Sequence, residues 1–232
     1  MKKALVTLLS KSFLPGFKAA INSIKANTPD FNLPIVCLNI DLDNDDKLEC
    51  KKCYGDIIFS PINMPVYAKK PISASALQDS FYKLDFFSIA KNYDHSILFD
   101  CDMLFLKSIS PLIHMNFKKI MMVYHKEYKS FNSGLIVAPQ LTNEYDKLID
   151  LMKSIPKAHL GDQSVIVEAD KQKIIKFGGL DSTWNVTKRQ VKLFGYQNYA
   201  GLHFVGKKPW QGGEEGYKEI EAIWHHYYQM EL

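Results

Sequence analysis

The 232-residue chain has no apolar run near the about 20 residues that cross a bilayer. Its start, MKKALVTLLSKSF, imitates an export leader, but Lys11 interrupts the run and no small-x-small cleavage pattern follows. Ala4–Leu9 therefore reads as a first strand. Cysteine is scarce: Cys37, Cys50, Cys53 and Cys101. The pair in ECKKCYG has the spacing of half a zinc site or of a redox motif. No second close pair and no nearby His completes a tetrahedral set, so reduced thiols in a cytoplasmic protein are expected. No charge of one sign dominates. The formal net charge is +4 and the basic residues are scattered, without the clustered stripe of a nucleic-acid protein. A mild positive excess suits an anionic small ligand. Repeats and low-complexity linkers are missing as well. The expectation is one domain over residues 1–232, with 210–232 as a helical tail.

Strand-like and helix-like stretches alternate along the chain. KALVTLL and LPIVCLNI read as strands, the second apolar throughout, as a strand buried on both faces is. Between them, PGFKAAINSIKAN has helical spacing. DLDNDDKL reads as a polar loop and GDIIFS as a short strand. DSFYKLDFFSIAKN reads as a helix capped by Asp79. SILFDCDMLFL, KIMMVYH and FNSGLIVAP read as strands. NEYDKLIDLMKSI and DQSVIVEADKQ read as helices, GLHFVG as a late strand, and GEEGYKEIEAIWHHYYQME as a terminal helix. This order gives an α/β fold, a sheet with helices on both faces. Such sheets bind ligands beyond the carboxyl ends of their strands.

Asp100 and Asp102 sit near that edge. On a continuous strand, residues two apart point to one side, so the carboxylates converge while Cys101 faces away. Two close carboxylates repel, and burial raises the cost of their charge. A divalent cation with a taste for oxygen, Mg²⁺ or Mn²⁺, relieves both and bridges to substrate phosphates. Solvated or capping carboxylates at a strand end are the other reading of the same residues.

The stretch YKLDFFSIAKNYDHSILFDCDMLFL resembles the core of glycosyltransferase family 8, a lysine-bearing helix followed by a strand ending in Asp-x-Asp. FNSGLIVAP, GDQSVI and LHFVGKKPW resemble three further landmarks, in the family's order, and VTLLS resembles its first strand. The resemblance runs from about Ala4 to Trp210. It implies a GT-A fold: a single Rossmann-like domain with a mixed, mainly parallel sheet flanked by helices. It also implies a retaining glycosyltransferase using a nucleotide-sugar donor, usually a UDP-sugar, with Mn²⁺ or else Mg²⁺ as the metal.

By the same resemblance, Asp102 and His203 ligate the metal, and Asp100 contributes to the metal or to the donor's ribose and sugar. Lys83, Cys101, Asn132, Ser133 and Gly134 fall in donor-contacting segments. Thr7, Leu8 and Ser10 match the nucleotide-contacting stretch; Phe13 is the nearest candidate to stack on the base, while Leu14 occupies the expected place. Gly206 would let the backbone approach the diphosphate. The segment is one residue shorter than in glycogenin, so Lys207 and Lys208 are both in reach of the diphosphate, and Lys208 is preferred. Asp162 would hold the sugar's hydroxyls. Gln163 would lie beside the anomeric carbon, on the face opposite the leaving group. A neutral amide is a weak nucleophile, which favours front-face attack over double displacement.

The sugar is read as a hexose, glucose or galactose first, and the acceptor as a glycan or lipid-linked glycan. His159 stands where glycogenin has an acidic acceptor-side residue, against self-glucosylation. The tail carries Glu214, Glu215, Glu219 and Glu221, against the basic amphipathic pattern of membrane-contacting tails. His225-His226 point about 100° apart on a helix and do not chelate together easily; Ile223, Trp224 and Tyr227 read as its packing face. Two other readings compete. A catalytically silent sugar-binding protein is disfavoured because all four site motifs are intact. A sugar-1-phosphate nucleotidyltransferase is disfavoured because TLLSKSFLPGF lacks the glycines of that signature.

Overall fold

The computed structural model describes residues 1–231. Among these residues are ten strands: β1 Lys3–Leu9, β2 Ile35–Asn39, β3 Ile57–Pro61, β4 His95–Phe99, β5 Met103–Phe105, β6 Met121–His125, β7 Ser130–Pro139, β8 Gly178–Leu180, β9 Val186–Thr187 and β10 Gly201–His203. Eight α-helices accompany them: α1 Leu14–Asn27, α2 Asn44–Cys53, α3 Asp85–Ile89, α4 Ser110–Ile113, α5 Glu144–Ser154, α6 Asp162–Lys171, α7 Lys188–Phe194 and α8 Lys218–Gln229.

Seven strands form one sheet in the order β3-β2-β1-β4-β7-β6-β8, in which β7 alone runs against its neighbours. The expected mixed, mainly parallel sheet is therefore present. Both faces are covered. On one side Phe17, Ile21 and Ile24 of α1 pack on Leu5, Ile35 and Ile97. On the other, Phe86 and Phe87 of α3, Leu148 and Met152 of α5 and Val165 of α6 pack on Val6, Leu98 and Ile136. Burying each such side chain is worth about 1.5–3 kcal/mol, which explains the apolar runs on the central strands. A smaller sheet, β5-β10-β9, lies beyond the first. Trp224 of α8 seals it against α1, among Ala19, Leu104, Leu202 and Phe204. Among the described residues no helix is long and apolar enough to cross a membrane.

Three expectations need correction. SILFDCDMLFL is not one strand. It is two, β4 in the large sheet and β5 in the small one, and Asp100-Cys101-Asp102 is the turn between them. Asp100 N–H donates to the Gly134 carbonyl at 2.8 Å, and Met103 N–H donates back to Asp100 at 3.0 Å, which redirects the chain. DSFYKLDFFSIAKN is not a single α-helix. A 3₁₀ segment, Ser75–Leu84, precedes α3, and Asp79 lies inside it rather than at its cap. DLDNDDKL is not all loop. Asp43 caps α2 by accepting from Asp45 N–H (2.9 Å) and Asp46 N–H (3.0 Å), while Asp46 reaches back to Asp43 N–H at 3.1 Å. That reciprocal box starts a helix whose polar composition hides it.

Candidate active site

The turn from β4 to β5 sits where strand order reverses, with β2 on one side of β1 and β4 on the other. It brings Asp100 and Asp102 to one point from a turn, not from strand alternation. β10 pairs antiparallel with β5, setting His203 opposite Met103. One ligand atom each from Asp100, Asp102 and His203 falls within 4.8 Å of the others. His203 Nε2 lies 3.2 Å from an Asp102 oxygen and 3.9 Å from an Asp100 oxygen.

The protons around His203 can be traced from a fixed donor. Gly134 backbone N–H donates to Asn132 Oδ1 at 2.8 Å. That oxygen also accepts from Asn185 Nδ2 at 2.8 Å, so Asn185 turns its own oxygen to His203 Nδ1 at 2.9 Å. Nδ1 must then donate, and in the neutral ring Nε2 carries a lone pair. A lone pair facing two carboxylates calls for a cation or a proton between them, so the donor set fits a divalent ion. Gly134 is required for a further reason. A Cβ there would lie 2.5 Å from His203 Cε1 and 2.8 Å from Nδ1, so the imidazole rests against bare backbone.

Two lysines balance the acids. Lys83 Nζ, buried at the end of the 3₁₀ segment, lies 3.1 Å from both oxygens of Asp100, 3.2 Å from Ser133 Oγ and 3.3 Å from Asp162 Oδ2. Burial alone would lower its pKa, but the charges of Asp100 and Asp162 overcome that and raise it. Asp162 opens α6, and burial is the largest cause of its raised pKa, with the Asp100 charge adding and Lys83 opposing. For Asp102 burial pulls upward, yet the Lys208 charge, joined by His203 whenever that ring takes up a proton, wins and lowers its pKa well below the carboxylate range. Lys208 Nζ is paired with Asp102 and donates to the Phe204 carbonyl at 3.2 Å. Lys207 points its side chain to solvent, so of the two lysines Lys208 is the one brought to the acids.

The remaining predicted residues are distributed around this cluster. Gln163 Oε1 accepts from Ser133 N–H at 3.3 Å, which ties α6 to β7 beside Lys83. Thr7 is fully buried and its hydroxyl donates to the Phe99 carbonyl at 2.9 Å, so that group is engaged inside the protein. Cys101 does face away, its thiol 3.0 Å from Thr7 Oγ1 and 3.3 Å from the Leu8 carbonyl. Ser10 pairs with Ser12 at 3.0 Å at the exposed end of β1. Phe13 lies under Lys208, whose Nζ is 5.7 Å from its ring centre, and packs edge-on against Trp210; Leu14 begins α1. Gly206 is exposed with φ +81°, a left-handed turn that favours glycine irrespective of any ligand. Trp210 lies between Phe13 and Trp224. His225 and His226 are exposed on α8. Asn185, which orients His203, was missed: TWNV carries no sequence signal beyond an ordinary Asn.

Comparison with curated protein sequences gives no match. Solved structures of the same shape are plentiful. The galactosyltransferase LgtC, in complex with donor and acceptor sugar analogues, superposes with a TM-score of 0.72 at 13% identity, over 96% of this chain and 95% of that one. Apo GlyE of Streptococcus pneumoniae TIGR4 gives 0.79 at 17% identity, over 100% of this chain and 61% of that one. Mouse xyloside xylosyltransferase 1 gives 0.66 at 16%, over 90% and 99%. At such identities the likeness establishes the fold, GT-A. The sequence itself carries the rest, because residues 4–213, which hold every acid, lysine and imidazole of the cluster, match one family along their whole length: the chain belongs to glycosyl transferase family 8.

Proposed function

We propose that this glycosyltransferase is metal-dependent and retaining, and moves a hexose, glucose or galactose, from a UDP-sugar to a hydroxyl of a glycan or lipid-linked glycan. The observation that carries the metal is the trio of ligand atoms within 4.8 Å, one of them an imidazole nitrogen whose other face is already donating. Asp100, Asp102 and His203 would hold Mn²⁺ or Mg²⁺, which when bound supplies Lewis-acid neutralisation of the departing diphosphate.

The chain's own groups do the rest. Lys208 exchanges its Asp102 partner for the diphosphate and neutralises charge as the leaving group departs. Lys83 fixes Asp100 and Asp162 at once, so the carboxylate that meets the sugar's hydroxyls does not drift. Asn132 and Ser133 line the approach beside Gln163. Gln163 turns a neutral amide toward the sugar's far face and assists through its dipole. The acceptor then enters on the face the diphosphate leaves, and a departing phosphate oxygen takes its proton. Rate comes from positioning and electrostatic stabilisation. Ser10 and the backbone at Leu8 are left to read the base, since Thr7 is engaged elsewhere.

The test is a panel of nucleotide sugars assayed for release of nucleoside diphosphate, with Mn²⁺, with Mg²⁺ and with chelator. UDP-glucose or UDP-galactose should turn over only with metal, and Asp102→Asn should be silent on every donor. Equal performance of wild type and Asp102→Asn sinks the reading. Tight donor binding with no turnover would instead mark a sugar-binding protein.

A further inference from the structure

The family match ends at residue 213, and the tail beyond it makes a buried contact with α7. Lys188, the first residue of α7, is fully buried. Its ammonium has three partners: Glu221 Oε1 at 2.9 Å, Glu214 Oε2 at 3.1 Å and the Lys207 carbonyl at 2.7 Å. The Tyr217 ring lies over it, 4.9 Å to the centre. Two of its donors are hydrogen-bonded, to the Lys207 carbonyl and Glu221; Glu214 Oε2 stands at ion-pair distance without a hydrogen bond, and the remaining side is aromatic. Glu221 is itself buried, and its second oxygen accepts from Glu214 N–H at 3.2 Å. Gly213 makes room for it, because a Cβ there would stand 2.1 Å from that oxygen.

The geometry of this node points at Lys208. Lys188 follows Thr187, which is paired in register with His203. From that rigid base its ammonium grips the Lys207 carbonyl, half of the peptide that carries Lys208. The backbone before Lys208 is thus tied to β9–α7 through Lys188, and Lys188 is held in turn by two carboxylates of the tail. From that held backbone the Lys208 side chain reaches Asp102 and the Phe204 carbonyl.

We propose that Lys188, clamped by Glu221 and Glu214, is a positioning residue that sets where the Lys208 ammonium meets the donor's diphosphate. The inference rests on the donor role given to Lys208 above. A lysine ammonium is a point charge on a flexible stem, so a fixed backbone is what gives it an address. The tail is in this sense part of the donor site without touching the donor.

The experiment is titration of the Mn²⁺-loaded protein with UDP by calorimetry, and with uridine by ligand-observed NMR. Four proteins are compared: wild type, Lys188→Met, Lys208→Ala and the double variant. Lys188→Met should weaken UDP about tenfold, the scale of one charge-assisted hydrogen bond, and leave uridine unchanged. Added to Lys208→Ala it should do nothing more, since both act through one ammonium. Loss of uridine and UDP in equal measure, or full additivity with Lys208→Ala, overturns the inference and leaves Lys188 a purely structural residue. If Lys208→Ala itself leaves UDP affinity unchanged, the donor role of Lys208 has failed and this inference falls with it. Because Lys188→Met strands a buried carboxylate, Lys188→Met/Glu221→Leu is measured alongside. Replacing a buried ion pair by apolar groups is tolerated where breaking it is not, and this variant should show the same split between UDP and uridine.

Discussion

Lys83 and Asp85 stand two residues apart, yet they serve buried polar centres of opposite kinds. The Asp85 carboxylate accepts from Tyr67 OH at 2.7 Å, Tyr145 OH at 3.0 Å and Asn63 N–H at 3.1 Å. Every donor there has an acceptor inside the protein. Burial first, and the Asp85 charge second, raise the pKa of both tyrosines, so neither titrates in the ordinary range. Lys83 belongs to the other centre. There two carboxylates and an imidazole lone pair converge on one point, and Lys83 and Lys208 answer them only from the sides. A polar centre that closes on itself holds a fold together. One that leaves like-signed acceptors aimed at a shared point is built to receive something.

The comparison can be broken or sharpened by measurement. The largest effect is expected at the open centre: Asp102→Asn should lower metal-dependent donor turnover by about 10³-fold, the scale of removing a major electrostatic contact to the leaving group. Turnover close to wild type in that variant would make the two centres the same kind. At the closed centre the loss should be in stability. Asp85→Leu strands two tyrosine hydroxyls and a backbone N–H, and should cost about 4 kcal/mol by urea unfolding. At matched folded fraction its turnover should be preserved.

A third buried polar group sharpens the contrast from the far end of β4. His95 is only 4% exposed, its Nε2 has no hydrogen-bond partner, and burial, with the Lys3 charge, pushes its pKa down to about 4. The unfolded chain then binds the extra proton first, so the neutral form's stability is complete above about pH 6.5 and is lost as pH falls toward 4. That loss should be on the order of 3 kcal/mol in denaturant curves, and His95→Leu should flatten it. The smallest effect is expected from Gly134→Ala, which pushes on the His203 ring and should weaken Mn²⁺ about tenfold by competition titration, with little change in urea midpoint. A larger fall in stability than in metal affinity would move Gly134 to the structural side.

Much of this was readable in the sequence, for identifiable reasons. β1, β2, α1 and α5 carry strong periodicity or continuous apolar runs, and the α/β class follows from their alternation. The acids, Lys83, His203 and Asp162 sit in segments specific enough to be recognised together. Most of the rest is long-range. The break of SILFDCDMLFL between two sheets is invisible because both halves are equally apolar. The box that starts α2 was legible as Asp43 and Asp46 three apart, but the helix has little apolar face to announce it. α7 begins with a similar box, Thr187 with Gln190, that was passed over. Asn185 and Lys188 act across the chain, one on His203 and the other on residues 207, 214 and 221. No local pattern marks a residue whose partners are that far away.

The turn at Asp100–Asp102 is also the only covalent step from β4 in the large sheet to β5 in the small one, while His203 stands wholly in the small one. An ion shared by Asp100 and His203 would rivet the two layers across their seam. Loading the metal should therefore slow amide exchange in β9 and β10, a mechanical brace acquired along with a cofactor.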